Sequence, residues 1–333
     1  MNSSIEAIKS SRNFSNVISL SGWVRRDGQK DGTQTNTLEI PQAHQPARLM
    51  DFVSLTKPEV LFLVLITTGA GCLMASPSLD LLTLFNALVG TALVAGGTAA
   101  LNHYLERVHD AKMRRTSNRP LPSGRLTPRE VLCFGVLLSI TGTIYLAVNC
   151  NLLTSAIGLA ALLSYLLLYT PLKRRSDLCT LVGAFPGAAP ILMGWTAVRG
   201  DISLAGWILY AILFFWQFPH FLAIGWMYRD DYARARMLMV PTNDHDGVVA
   251  FRQVWIMSGA LIVMSLFPAA MGMAGSVYIL TAAILGIGLL IAVYRASSLR
   301  TNLSAKELLH ATVIYLPVLL AMMVLDKIAL IYM

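Results

Sequence analysis

The chain has 333 residues, of which 55% are hydrophobic and 13% charged, with a formal net charge of +8. That is about half the charged fraction of an average soluble domain, which excludes a water-soluble globule and leaves no length for a second large soluble domain. The basicity implies no nucleic-acid partner, because most Lys and Arg sit in short stretches between apolar runs, where membrane topology accounts for them.

Residues 1–50 are polar and carry Glu6, Asp27, Asp31 and Glu39, so they lack the apolar core of a secretory signal and suit an acid-poor transit peptide badly. We read them as a disordered cytoplasmic tail, and residues 51–333 as one transmembrane domain. Crossing about 30 Å of hydrocarbon takes about 20 apolar residues. Runs of that kind predict helices at about 58–77, 81–103, 129–149, 152–171, 178–198, 203–227, 251–273, 275–295 and 308–330. The expected fold class is an all-α membrane protein, a bundle of about nine transmembrane helices.

With the N-terminus in the cytoplasm, Lys and Arg fall in the tail and in the connections near 104–128, 172–177, 228–252 and 295–307, leaving Arg199 and Lys327 at the other side. That asymmetry predicts an integral protein of the bacterial cytoplasmic (inner) membrane with its C-terminus outside. The two long connections share the cytoplasmic face, so function is sought there. Gly90, Gly96, Gly97, Gly183, Gly187 and Gly194 read first as sites of close helix packing. Pro186, Pro190 and Pro219 each remove a backbone hydrogen bond within a span and should bend it. Cys72, Cys133, Cys150 and Cys179 have no C-x-x-C spacing and are expected as buried, unpaired thiols.

The second span runs into Asn102-His-Tyr-Leu-Glu106-Arg-Val-His-Asp110. A spacing of four puts Asn102, Glu106 and Asp110 along one side of a helix, with about 40° of drift per step. Hard oxygen donors of this type suit Mg²⁺, which takes one or two carboxylates and completes its shell with water and phosphate oxygens. Lys112, Arg114, Arg115, Arg119 and Arg125 follow closely and can meet the remaining charge of a diphosphate. The competing reading is an ordinary solvated helix end, weakened by the like charges of Glu106 and Asp110.

A second acidic patch follows the sixth span, at Tyr228-Arg-Asp230-Asp231-Tyr232. Adjacent residues cannot share a helical face, so one of Asp230 and Asp231 is expected to join a metal site, Asp231 by preference. Asp244 and Asp246 look like turn formers. His220 lies at membrane depth in Trp216-Gln-Phe-Pro-His220-Phe, where an ionisable group needs a partner or a cavity: either a hydrogen-bonded core residue, a haem contact or a proton carrier. His310 is a similar, weaker candidate, and His103 and His109 are expected at the interface.

These residues resemble the UbiA-type intramembrane prenyltransferases, and within them the branch acting on haem. The resemblance covers about residues 50–330. It is carried by Lys57-Pro58, by Asn102, Glu106 and Asp110, by Met113, Arg115-Thr116 and Arg119-Pro120-Leu121, and by Tyr169-Thr-Pro-Leu-Lys173. Gly183, Pro186, Gly187 and Pro190, then Trp216-Gln217, Pro219-His220-Phe221 and Asp231-Tyr232, complete it. The resemblance implies a nine-helix bundle with a central cavity open to the cytoplasmic side and Mg²⁺ between the acidic motifs and farnesyl diphosphate. Protohaem IX (haem B) would be the acceptor and haem O the product. On that reading Asn102, Glu106, Asp110 and Asp231 are catalytic, with Asp230 as a further metal ligand. Lys57, Lys112, Arg115, Arg119 and Lys173 bind diphosphate, and Trp216, His220 and His310 contact haem. Haem A synthase or terminal-oxidase assembly factors are the downstream partners implied. Two departures stand out: Glu106 where many relatives have Asp, and Arg236 and Leu238 where the family commonly has Gly and Pro. The rival readings are a prenyltransferase for a quinone precursor or another tetrapyrrole, and a secondary transporter.

Overall fold

A computed structural model describes residues 49–332 apart from 76, 77 and 79. All but the last two positions of the expected tail lie outside the described residues. After a short helix α1 (Leu49–Leu55), the chain forms α2 (Pro58–Ala75), α3 (Leu81–Asp110), α4 (Pro128–Asn149) and α5 (Leu152–Ser164). A π-helical turn, Tyr165–Tyr169, joins α5 to α6 (Thr170–Leu172). Then come α7 (Cys179–Arg199), α8 (Leu204–Met227), two short helices α9 (Arg229–Arg234) and α10 (Val240–Asn243), α11 (Val248–Ala270), α12 (Ser276–Leu299) and α13 (Asn302–Tyr332). Among the described residues nine helices, counting α5 through α6 as one, are long and apolar enough to cross a membrane.

Helix is the only open-ended form that satisfies every backbone group in hydrocarbon, which is why apolar length alone located these spans. Two ends differ from the expected positions for a shared reason. α3 continues to Asp110 rather than stopping near 103, and α13 starts at Asn302 rather than near 308. In both places polar residues prolong the helix beyond the apolar run, where hydropathy no longer reports it.

α7 and α8 are the inner helices: 61% of their apolar stretches is buried, against 28% in α4, α5–α6 and α11. Lipid-facing helices have little hydrophobic reason to associate, so close van der Waals packing must hold them. α2 and α7 show how the glycines serve this. A Cβ at Gly71 would run into the carbonyl of Ile191, and one at Gly194 into the carbonyl of Thr68. Since these obstacles are backbone, the crossing admits no larger residue. At Gly187 the obstacle is the Gln217 amide, which instead donates from Nε2 to the Ala184 carbonyl at 3.0 Å and pins α8 to α7. Cys133 departs from the expected burial: it is exposed on α4, while Cys72 and Cys179 are buried and all four thiols are free.

Candidate functional site

The functional end of the bundle is assembled from four stretches far apart in sequence. The α3 ladder is the first, and all three of its residues are buried: Asn102 at 1%, Glu106 at 7% and Asp110 at 2% exposure. Each meets a donor from another segment. Lys57 Nζ donates to Asn102 Oδ1 at 3.0 Å, Lys173 Nζ to Glu106 Oε1 at 2.8 Å, and Arg119 to Asp110 Oδ2 at 2.8 Å. A solvated helix end would leave these side chains in water, so that alternative does not describe this structure.

The π turn explains how Lys173 arrives. Pro171 has no N–H to return to the carbonyl four residues earlier. The helix widens instead, with Thr170 donating from its backbone and from Oγ1 (2.9 Å) to the Tyr165 carbonyl. Asn102 Nδ2 donates to the same Thr170 Oγ1 at 3.3 Å, which ties the wide turn to α3. One turn on, the Lys173 ammonium lies 4.5 Å from the Tyr169 ring centre. Burial alone would lower the Lys173 pKa, but the Glu106 carboxylate beside it, with Tyr169 and Tyr165, holds it well above the usual lysine value.

Lys57 is placed by strain. Its φ is +52°, a left-handed conformation that a side chain rarely adopts, in the turn between α1 and α2 directly before Pro58. Non-glycine residues held this way concentrate at functional positions. Burial, and then the nearby Arg119 cation, push its pKa down to about 7.

The second acidic patch joins the first through the backbone. Asp231 is buried, accepts from the Arg115 amide at Oδ2 (3.2 Å) and pairs with Arg234 through Oδ1, whereas its neighbour Asp230 is exposed. The Leu238 amide donates to the Lys173 carbonyl at 2.6 Å, so the loop after α9 rests directly on the residue that holds Glu106. The two departures from the family pattern find their consequence here. Arg236 has φ +55°, the conformation a glycine adopts freely, and Leu238 makes a hydrogen bond that a proline could not.

Among the described residues no three His, Cys, Asp or Glu side chains close on one point, since each carboxylate turns towards a basic partner. Magnesium needs only one or two carboxylates from a protein, so buried hard oxygens from Glu106, Asp110 and Asp231 suit its chemistry. A cleft of about 310 Å³ opens at this end, bordered by Ser54, Lys57, His103, Arg115, Asn118, Arg119, Pro120 and Arg125. Arg115 also lies 5.3 Å from the Tyr228 ring centre, and Lys112 is exposed outside the cleft. Asp244 Oδ2 accepts from the Ala250 amide at 2.7 Å, a structural role at the start of α11.

Deeper in the bundle, Trp216 Nε1 donates to the Thr312 carbonyl at 2.7 Å and stacks on His220 with ring centres 4.7 Å apart. The Thr312 hydroxyl has one hydrogen, directed at the Leu309 carbonyl at 2.7 Å. It therefore accepts at its 3.0 Å contact with His220, which assigns the hydrogen to Nδ1 and leaves the Nε2 lone pair available. His310, two residues earlier on α13, is exposed and does not share this cluster.

The chain matches the UbiA prenyltransferase family over residues 64–316. It belongs to that family. Relatives named protoheme IX farnesyltransferase include one from Solibacter usitatus, 45% identical over 84% of this chain and 99% of its own length. Another, from Koribacter versatilis, is 42% identical over 88% and 98%. Among solved structures, a digeranylgeranylglyceryl phosphate synthase superposes with a TM-score of 0.69 at 17% identity, covering 84% of this chain and 99% of that one. A UbiA homologue from Archaeoglobus fulgidus bound to DMAPP and Mg²⁺ gives 0.66 at 16%, covering 85% and 99%. This UbiA-family enzyme thus has its family's fold, and Thr170, Arg234 and Thr312 at its candidate site escaped sequence reading. Thr170 had a signal, its place before a proline within a helix; Arg234 and Thr312 become visible only through their partners.

Proposed function

We propose that this prenyltransferase moves a farnesyl group from farnesyl diphosphate to a vinyl group of protohaem IX, with addition of water, giving haem O and diphosphate. One observation supports the site most directly: the buried α3 carboxylates Glu106 and Asp110 are each held by a basic group from another segment, and buried Asp231 of α9, paired with Arg234 on its own helix, accepts from the Arg115 amide at the same end of the bundle. A charge-balanced set of this kind can change partners when substrate arrives. Arg119, Lys173 and Lys57 would turn to the phosphate oxygens, freeing Asp110, Glu106 and the Asn102 amide oxygen to hold Mg²⁺, with Asp231 as a further carboxylate from α9. Magnesium, when bound there, would supply Lewis-acid stabilisation of the leaving diphosphate.

The residues' own part follows from charge. Lysine and arginine fixed around the diphosphate stabilise the negative charge that grows as the farnesyl C1–O bond breaks. The apolar interior shields the allylic cation from early capture by water. A haem vinyl carbon forms the new C–C bond, water adds to the resulting cation, and a proton is released. His220 lies about 10 Å, or seven residues of helix rise, inside the end of α8. Its Nε2 lone pair, oriented by Thr312, is of the kind that ligates haem iron, with Trp216 stacked beside it.

Of the basic residues from Lys57 onward, all but Arg199 and Lys327 lie at the end that carries the site. By the positive-inside rule that end faces the cytoplasm of a bacterial inner membrane, with the N-terminus inside and the C-terminus outside. The relatives' printed name supports haem over a quinone precursor as acceptor. Purified protein incubated with haem B, Mg²⁺ and farnesyl diphosphate, followed by mass spectrometry of the extracted porphyrins, tests this. Haem O is expected; unchanged haem B beside prenylation of a quinone precursor would overturn the acceptor assignment.

A further inference from the structure

His103 was expected at the membrane interface, yet only 3% of its surface is exposed. Neither ring nitrogen has a hydrogen-bond partner. Buried polar atoms in folded proteins are almost always paired, so an imidazole with both nitrogens unmatched calls for an explanation. Its position supplies one. His103 is one of the residues bordering the 310 Å³ cleft, together with Lys57, Arg115, Asn118 and Arg119, and no carboxylate is among the residues lining that cleft. The lining is rich in donors and poor in acceptors, so the molecule that completes it must be anionic and carry several acceptor oxygens.

We propose that His103 is a diphosphate-binding residue, donating its ring N–H to a phosphate oxygen of the prenyl donor. The proposal rests on the reading of this cleft as the diphosphate site. It gives the imidazole a role separate from the carboxylates one turn further along α3: those balance the basic groups and hold metal, while His103 adds a neutral, directional contact to the phosphate. Because the ring is unpaired without ligand, the ligand-free protein is less stable than one with an apolar ring in its place. Stability and ligand affinity should therefore respond oppositely to its removal.

Isothermal titration of the full-length, detergent-purified protein with inorganic pyrophosphate in the presence of Mg²⁺ tests this, alongside thermal melting without ligand. His103→Phe keeps a planar ring of similar size and is expected to weaken pyrophosphate binding about tenfold while raising the melting temperature. His103→Gln, which retains an N–H donor, should recover binding to within about threefold of wild type. Unchanged affinity in a folded His103→Phe protein would overturn the role of His103 while leaving the cleft assignment intact. If wild type itself fails to bind pyrophosphate, the cleft assignment falls and the proposal with it. Should His103→Phe not fold, equal weakening by His103→Gln and His103→Leu would also count against it, since only the former can donate.

Discussion

Replacing Lys173 by Met separates the two parts that this residue plays. Its ammonium is 2.8 Å from Glu106, and the two side chains are only 12% and 10% exposed. Removing one member of a buried pair strands the other charge away from water, at about 3–5 kcal/mol. Loss of the contact with the Tyr169 ring adds roughly 1 kcal/mol. The backbone bond from Leu238 to the Lys173 carbonyl does not involve the side chain and should survive. Turnover should fall by about 10²–10³, the usual effect of removing one fixed donor from developing negative charge. Combining Lys173→Met with Glu106→Gln removes both charges, so most of the lost stability should return while activity stays low. The assay is haem O formation by mass spectrometry, paired with thermal melting in the same detergent. Single-variant activity within about threefold of wild type would refute the placement of Lys173 at the diphosphate. A double variant no more stable than the single one would refute the electrostatic account of the pair.

Asp110→Asn retains an oxygen that can accept from Arg119, so it should fold normally and lose Mg²⁺-dependent turnover by about 100-fold or more; near-wild-type turnover in purified protein would remove Asp110 from the ligand set. His220→Ala should abolish the absorbance shift on haem binding, and Thr312→Val should weaken haem binding by a smaller factor through loss of ring orientation; identical spectra in all three proteins would exclude His220 as a haem contact. Lys57 has a folded pKa of about 7 against an ordinary 10.5. Between those values the unfolded chain binds more protons, so the ligand-free protein should gain stability as pH rises from about 7 towards 10. Lys57→Met should flatten that rise, and a wild-type melting temperature that falls across the window would contradict it. Arg236→Gly relieves a left-handed residue and should stabilise the protein by about 0.5–1 kcal/mol, read as a higher melting temperature; a clear decrease would show that the Arg236 side chain outweighs the strain.

The sequence by itself determined the membrane class and the helices, because a backbone in hydrocarbon must form its hydrogen bonds internally and apolar length reports where it does so. It also determined the candidate carboxylates, since a spacing of four on α3 places Asn102, Glu106 and Asp110 along one side whatever surrounds them. The partner of each one depended on the tertiary structure. Lys57, Lys173 and Arg119 lie on three different segments, and the bond from Thr170 to Tyr165 that brings Lys173 to Glu106 exists only because the helix widens around Pro171. Packing also sets Asp230 and Asp231 apart, burying Asp231 and exposing Asp230. His103 and His310 changed places for the same reason. Local pattern gives a residue's face on its own helix, but whether that face meets lipid, water or a ligand cleft is fixed by what packs against it.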